Sequence, residues 1–149
     1  MSLALACLAG SVPLEAHQTP RTITLTVADP VGDKMSYSVK QIVAKPGEKL
    51  KIRMVSMAQT PKIVMAHNFV LLKAGTDVKA FSDAAANARA TDYIPPAFTS
   101  AIIAHTAMAG PGESMDVTFT APTKPGKYVF LCSFAGHWAA GMTGDFIVR

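Results

Sequence analysis

Three stretches of this chain place apolar residues at every second position. Ile23, Leu25 and Val27 alternate with Thr22, Thr24 and Thr26; Leu50, Ile52 and Met54 with Lys51, Arg53 and Val55; Met115, Val117 and Phe119 with Asp116, Thr118 and Thr120. Only an extended backbone turns such residues to one face, so each stretch reads as a strand with one side in a core and one in water. Tyr128 to Cys132 is nearly all apolar and rich in β-formers, which predicts a central strand, and Phe146-Ile147-Val148 closes the chain as another. The breaks carry turn chemistry. Asp29-Pro30 and Gly32-Asp33 follow the first strand, and Pro46-Gly47, Pro111-Gly112 and Pro125-Gly126 each precede one. Proline presets one backbone angle and glycine permits the next. Many short strands between such turns predict an all-β sandwich or barrel.

One segment breaks the pattern. Thr76 to Ala90 is Ala-rich, with Thr76 or Asp77 placed to cap a helix and Val78, Phe81 and Ala85 on one face. It predicts a small helical insertion ended by Pro95-Pro96. The 149 residues suffice for one domain and one modest site. Charged residues are only 16% of the chain, and half of it is hydrophobic, which excludes intrinsic disorder. The net charge of +4 comes from scattered Lys and Arg rather than a basic run, so nucleic acid is not an expected partner. A mild positive charge suits an acidic protein partner.

The ends set an expected division of residues 1–20 as signal remnant and flexible tether and 21–149 as the folded domain. Leu3 to Gly10 is a short apolar run, far below the ~20 residues that span a bilayer. It reads as the tail of an export signal, with Ala4-Leu5-Ala6 matching a small-x-small cleavage pattern and Cys7 directly after it. The expectation is an extracytoplasmic, periplasmic domain, with any membrane tether confined to the N-terminus. No internal segment reads as membrane-spanning.

Chemistry concentrates near the C-terminus. In Leu131-Cys132-Ser133-Phe134-Ala135-Gly136-His137-Trp138-Ala139-Ala140-Gly141-Met142, a Cys, a His and a Met follow at five-residue steps. They leave the end of a strand and cross a loop closed by Gly141 and Gly144. A second histidine, His67, sits far upstream in Val64-Met65-Ala66-His67-Asn68-Phe69, where the apolar run reads as a strand with His67 at its lip. One thiolate, two imidazoles and a weak thioether form the donor set that suits copper in a trigonal site with an axial Met. Structural zinc sites use more thiolates, and calcium and magnesium require oxygen donors that this loop lacks. Taken singly, each of these residues is ordinary: a buried thiol, a core Met, a surface His. It is their recurrence in one glycine-flanked loop that points to a metal. His105 lacks partner ligands in the sequence and reads as a surface histidine, and His17 lies in the tether.

With these residues in place, the chain resembles the blue copper proteins, the cupredoxins, and most of all their azurin and auracyanin branch. The resemblance runs from Thr22 to Arg149 and is carried by Met65-Ala66-His67-Asn68, by Ile103-Ala104-His105-Thr106 with Gly110-Pro111-Gly112-Glu113, and by Phe130 to Met142. It implies an eight-stranded Greek-key sandwich with one type 1 copper under one end and the helical insertion to its side. It implies His67, Cys132 and His137 as trigonal ligands, Met142 as axial ligand, and Asn68 as the residue that pins the two ligand segments together. Three departures stand out. Ala66 replaces the usual glycine whose carbonyl approaches the metal. The disulfide usual near the N-terminus cannot form, since Cys7 is the only other cysteine. Ala135 replaces a proline common in the ligand loop, which leaves an extra N–H to reach the thiolate.

The expected function is therefore single-electron shuttling between redox partners by Cu(I)/Cu(II) cycling, with no enzymatic activity. No acid–base carboxylate pair or nucleophile–base motif accompanies the loop, and four protein ligands leave no open position for substrate. Expected partners are redox proteins such as c-type cytochromes or copper/haem oxidoreductases, docking near His137 and Trp138, where Ala135, Ala139, Ala140 and Met65 add apolar area. The alternative is a copper storage or delivery module using the same ligands.

Overall fold

The computed structural model describes residues 19–29 and 35–149. The expected tether, with Cys7 and His17, lies outside them apart from Thr19 and Pro20. Every stretch with period-two patterning is a strand. Arg21–Val27 forms β1, Lys49–Ser56 β3 and Ser114–Thr120 β6, and these three make one sheet in the order β1-β3-β6. β3 alternates buried and more exposed residues along its whole length, as the sequence predicts. Gln41–Ala44 (β2), Val70–Leu72 (β4), Ile102–His105 (β5), Gly126–Leu131 (β7) and Thr143–Val148 (β8) make the second sheet, in the order β2-β8-β7-β4-β5. β7 is central in it, which accounts for its unbroken apolar run. The eight strands form the expected Greek-key sandwich, in which each sheet joins strands distant in sequence. β1 runs parallel to β3 and β2 parallel to β8; the other pairs are antiparallel.

The core lies between the sheets. Leu25, Leu50, Ile52 and Met54 from the first sheet are fully buried against Leu71, Phe130 and Phe146 from the second. Aromatic rings tie the layers together: Phe69 lies 5.4 Å from Phe130 and 6.4 Å from Phe119, which lies 6.0 Å from Phe146. Such pairs contribute about 0.5–1.5 kcal/mol each beyond area burial.

The helical insertion is Val78–Ala86, capped by Asp77, whose carboxylate accepts the Ala80 N–H at 3.0 Å. Phe81 and Ala85 face inward, as their spacing requires, and build a second, smaller core with Val70, Leu72 and Leu131 on the outer side of the five-stranded sheet. Pro95-Pro96 does not end this helix: it stops at the Asn87 cap, a 3₁₀ turn at Arg89–Thr91 follows, and Pro96 opens a further 3₁₀ segment, Pro96–Ala101, because proline is tolerated where the first helical N–H has no partner. Among the described residues no helix is long and apolar enough to cross a membrane.

Candidate metal centre

One end of the sandwich gathers the predicted donors. β7 ends at Leu131, and Cys132 is the next residue. From there the chain folds back on itself: the His137 N–H donates to the Phe134 carbonyl (3.1 Å), Met142 N–H to the His137 carbonyl (2.9 Å), and Cys132 N–H to the Met142 carbonyl (3.1 Å). The tight path needs left-handed backbone at Gly136 (φ 82°) and Gly141 (φ 98°), which glycine adopts without penalty. Gly144, which the sequence marks as closing the loop, is required for a different reason. A Cβ there would strike the Phe130 ring and come within 2.7 Å of the Lys40 carbonyl.

His67 reaches the same place from another direction. It is bridged to Ala109, with its N–H on the Ala109 carbonyl (3.0 Å) and the Ala109 N–H on its own (2.7 Å). The apolar run before it is not a strand. Ile63 and Val64 are largely exposed in a turn whose Val64 and Met65 N–H groups both donate to the Pro61 carbonyl; the strand, β4, comes after His67. Proline at position 61 breaks the ladder that the apolar residues alone suggested.

The result is a cluster in which donor atoms of His67, Cys132 and His137 all lie within 4.8 Å of one another. The Cys132 sulfur is 3.4 Å from His137 Nδ1, and the two imidazole centroids are 5.0 Å apart. Met142 is fully buried and joins the same core as Cys132. His67, Cys132 and Met142 are fully inaccessible and His137 retains 4% exposure, so His137 is the cluster member nearest the surface, as expected. His105 is not brought to the cluster. It ends β5, exposed, with Nδ1 3.2 Å from the Thr106 carbonyl.

Burial sets the protonation of this site. Desolvation drives His67 down to about 4; for His137, desolvation and then the neighbouring His67 ring drive it to about 3. Both imidazoles are therefore neutral at pH 7 and present lone pairs. Burial pushes the Cys132 thiol up to about 12, against the opposing pull of two backbone N–H groups, from Asn68 and Phe134. The Ala66 carbonyl does point inward, 4.0 Å from the sulfur.

Neither ring nitrogen of His67 has a hydrogen-bond partner, although both are buried. Leaving such a group unpaired costs about 1–3 kcal/mol. A soft cation compensates that cost and also replaces the thiol proton, so the residues present fit copper. The surroundings are fixed without it. Asn68 Nδ2 donates to Ser133 Oγ (2.9 Å), and the Ser133 N–H donates to Asn68 Oδ1 (2.9 Å), which locks the His67 segment to the Cys132 segment. The resemblance implied that pin. Sequence reasoning did not find its support: Tyr37 Oη donates to the Asn68 carbonyl at 2.6 Å, and Thr106 Oγ1 accepts the Phe69 N–H at 3.0 Å. No local pattern marks Tyr37 or Thr106, since each acts on a residue more than thirty positions away.

Trp138 departs from the expected open patch. It is half-buried against the second core, beside Val70, Leu72 and Phe81. A different aromatic flanks the cluster: Phe134 lies 4.6 Å from the His137 ring and 4.6 Å from Tyr93.

Comparisons with known proteins agree with this geometry. The family model described as copper binding proteins, plastocyanin/azurin family, matches residues 24–149. An azurin of Achromobacter denitrificans is 34% identical over 141 residues, covering 93% of this chain and 90% of the relative. Outer membrane protein H.8 of Neisseria meningitidis is 35% identical over 109 residues, covering 72% of this chain and 58% of the relative. Among solved structures, the dithionite-reduced auracyanin of Roseiflexus castenholzii superposes with a TM-score of 0.69 at 38% identity, covering 85% of this chain and 96% of that one.

Proposed function

The chain belongs to the plastocyanin/azurin family of copper-binding proteins, and on that footing we propose that it is a type 1 electron carrier whose ion is held by His67, Cys132 and His137, with Met142 as the weak axial donor. The observation that carries this reading is the buried meeting of one thiol and two neutral imidazoles, one of them with both nitrogens unpartnered. Copper held there supplies a reversible one-electron couple.

The chain's own contribution is rigidity, dryness and a polar bias. Cys132, His137 and Met142 share one loop closed by backbone hydrogen bonds, and His67 is fixed to it through Asn68 and Ser133. Donors held by a packed sandwich move little, which keeps the reorganisation that accompanies electron transfer small. The Asn68 and Phe134 N–H groups face the sulfur and withdraw charge from it, and the apolar shell excludes water; both tune the potential. No catalytic role is assigned, since the donor set leaves no open position for a substrate.

A redox partner docks over the loop that carries His137, where Ala135 and Ala139 are exposed and Trp138 is partly so. Exposed Ile63 and Val64, two residues of the chain that leads into His67, extend the apolar area. Brief electron-transfer encounters need only such small interfaces. c-Type cytochromes and copper or haem oxidoreductases fit that description. Residues 21–149 form the copper domain and residues 1–20 the tether, and the setting is extracytoplasmic. The export-like Leu3–Gly10 run and the name of the Neisseria relative support that placement.

Adding one equivalent of copper to purified protein tests the reading. The expected result is an intense blue oxidised form, one reversible one-electron couple, and loss of the colour in Cys132→Ala. A colourless complex overturns it. Slow electron self-exchange combined with rapid loss of copper to a chelator assigns the site to storage or delivery instead.

A further inference from the structure

The segment after the helical insertion contains a turn that its own sequence should resist. Asp92 (φ 52°) and Tyr93 (φ 60°) are the only described residues other than glycine with left-handed backbone. A Cβ disfavours that region, glycine and asparagine are its ordinary occupants, and a tyrosine there is an outlier. The neighbouring hydrogen bonds impose it. The Asp92 N–H donates to the Arg89 carbonyl (3.2 Å) and the Tyr93 N–H to the Ala88 carbonyl (2.9 Å), and the Thr91 hydroxyl lies 3.0 Å from the Ala88 carbonyl and 2.8 Å from that of Ile94. Strain that the surroundings over-determine in this way clusters at functional sites. What the turn achieves is the placement of one ring. The Tyr93 centroid lies 4.6 Å from that of Phe134, and Phe134 lies 4.6 Å from the His137 ring, both within the range of direct aromatic contact. The two ends of this row differ in exposure. His137 is buried, whereas Phe134 and Tyr93 are half-buried and line a surface groove of about 150 Å³ with Lys62, Ile63, Arg89 and Asp92.

We propose that Tyr93 and Phe134 form an aromatic arm that carries electrons between this groove and the His137 limb of the metal site, with Tyr93 as the contact for the redox partner. This rests on the electron-carrier reading above. Electron tunnelling weakens steeply across gaps between groups, so three rings in contact offer a path that solvent over the same distance does not. The arm starts on the segment that follows the helical insertion, and so adds a second approach to the one over Ala135 and Ala139. One electron passes, no bond forms or breaks, and Tyr93 keeps its phenolic proton throughout.

Stopped-flow oxidation of the reduced, copper-loaded protein by hexacyanoferrate(III) tests the arm. This anion suits the chain's net charge of +4, and it becomes hexacyanoferrate(II) by taking the one electron that the site gives up. Three variants separate the ring from the turn. Tyr93→Asn removes the ring and suits left-handed backbone, Tyr93→Leu keeps apolar bulk without a π-system, and Tyr93→Phe keeps the ring. The second-order rate constant should fall severalfold in the Asn and Leu variants and be rescued in the Phe variant, while the visible band and the potential hold their wild-type values. In the metal-free proteins the Phe134 ring resonances should shift in the Asn and Leu variants and far less in the Phe variant, while those of Phe81, in the second core, stay in place. A rate that survives loss of the ring overturns the proposal, as does an equal loss in the Phe variant or a set of unmoved Phe134 resonances. A potential or band that moves with the rate also overturns it, because Tyr93 would then only support the loop. In each of these cases a blue, reversible wild-type protein leaves the electron-carrier reading intact. A wild-type protein that is not blue overturns both.

Discussion

At the residue scale, the site depends on groups that are expensive to bury and therefore must be paired. Asn68 and Ser133 are fully or almost fully buried, and each satisfies the other twice. Asn68→Ala leaves the Ser133 N–H and hydroxyl without their partners, at a cost of about 1–3 kcal/mol for each buried group left unpaired. The expected result is a lower urea midpoint, with copper still bound but released faster, measured by chemical denaturation and chelator competition. A midpoint equal to wild type would show that the pair contributes no stability. Tyr37 acts one step further out. Tyr37→Phe removes only the 2.6 Å bond to the Asn68 carbonyl, so its cost should be near 1 kcal/mol, with the ring contact to Phe130 retained. The donor set was legible in the sequence because Cys132, His137 and Met142 share one short loop. The groups that hold the donors were not, apart from Asn68, because Tyr37 and Thr106 are brought to them only by the crossing of strands.

At the scale of elements, the strands were legible wherever one face is buried and the other wet, because period two then survives in the sequence. β3 and β6 show this, with Arg53 opposite Asp116 in register on the solvent side. β4 and β5 are only three and four residues long and carry no such alternation, so length and pattern both failed to announce them. The run Ile63-Val64 misled for the opposite reason: apolar residues there are exposed in a turn. Where backbones approach closely, side-chain volume decides. Gly144 pairs with Phe130 across the β7–β8 ladder, and its missing Cβ is the space the Phe130 ring occupies. Gly144→Ala should destabilise by about 1–3 kcal/mol through overpacking, read as a lower denaturation midpoint, whereas Gly112→Ala, with open space around its Cβ, should lose only the smaller left-handed backbone penalty. The charge ladder on β3–β6 makes a pH prediction. Arg53 and Lys51 hold the Asp116 carboxylate down to about 2, below its ordinary 3.8. A depressed carboxylate contributes stability that is present above the unfolded value and is lost as pH falls through the folded one, here from about pH 4 to about 2. Asp116→Asn should therefore be less stable than wild type at pH 7, the gap narrowing from about pH 4 downward and closing only below about pH 2, in parallel denaturation series. The pair is solvent-exposed, so added salt should shrink the difference.

At the scale of the whole molecule, the sandwich and the metal site are separable in energy. The large buried residues that join the sheets, such as Leu50, Ile52 and Phe146, take no part in the donor cluster. The strand ladders and the Asn68–Ser133 lock are complete from protein atoms alone. What the metal-free protein bears is local: two desolvated neutral imidazoles and a thiol whose ionisation burial opposes. A site built this way is preformed, unlike small zinc domains whose folding free energy is their metal-binding free energy. Removing copper with a chelator should then leave the far-ultraviolet β signature and the packed aromatic signal in place, with cooperative unfolding at a lower temperature. Because the ion binds the folded chain and not the unfolded one, its stabilisation grows with free copper as mass action dictates, to about 4.1 kcal/mol at a thousandfold excess over the dissociation constant. Calorimetric scans at stepped copper concentrations measure this directly. A metal-free chain that melts without cooperativity would mean that the sandwich relies on its ion, and the rigidity invoked for electron transfer would then belong to the metal rather than to the fold.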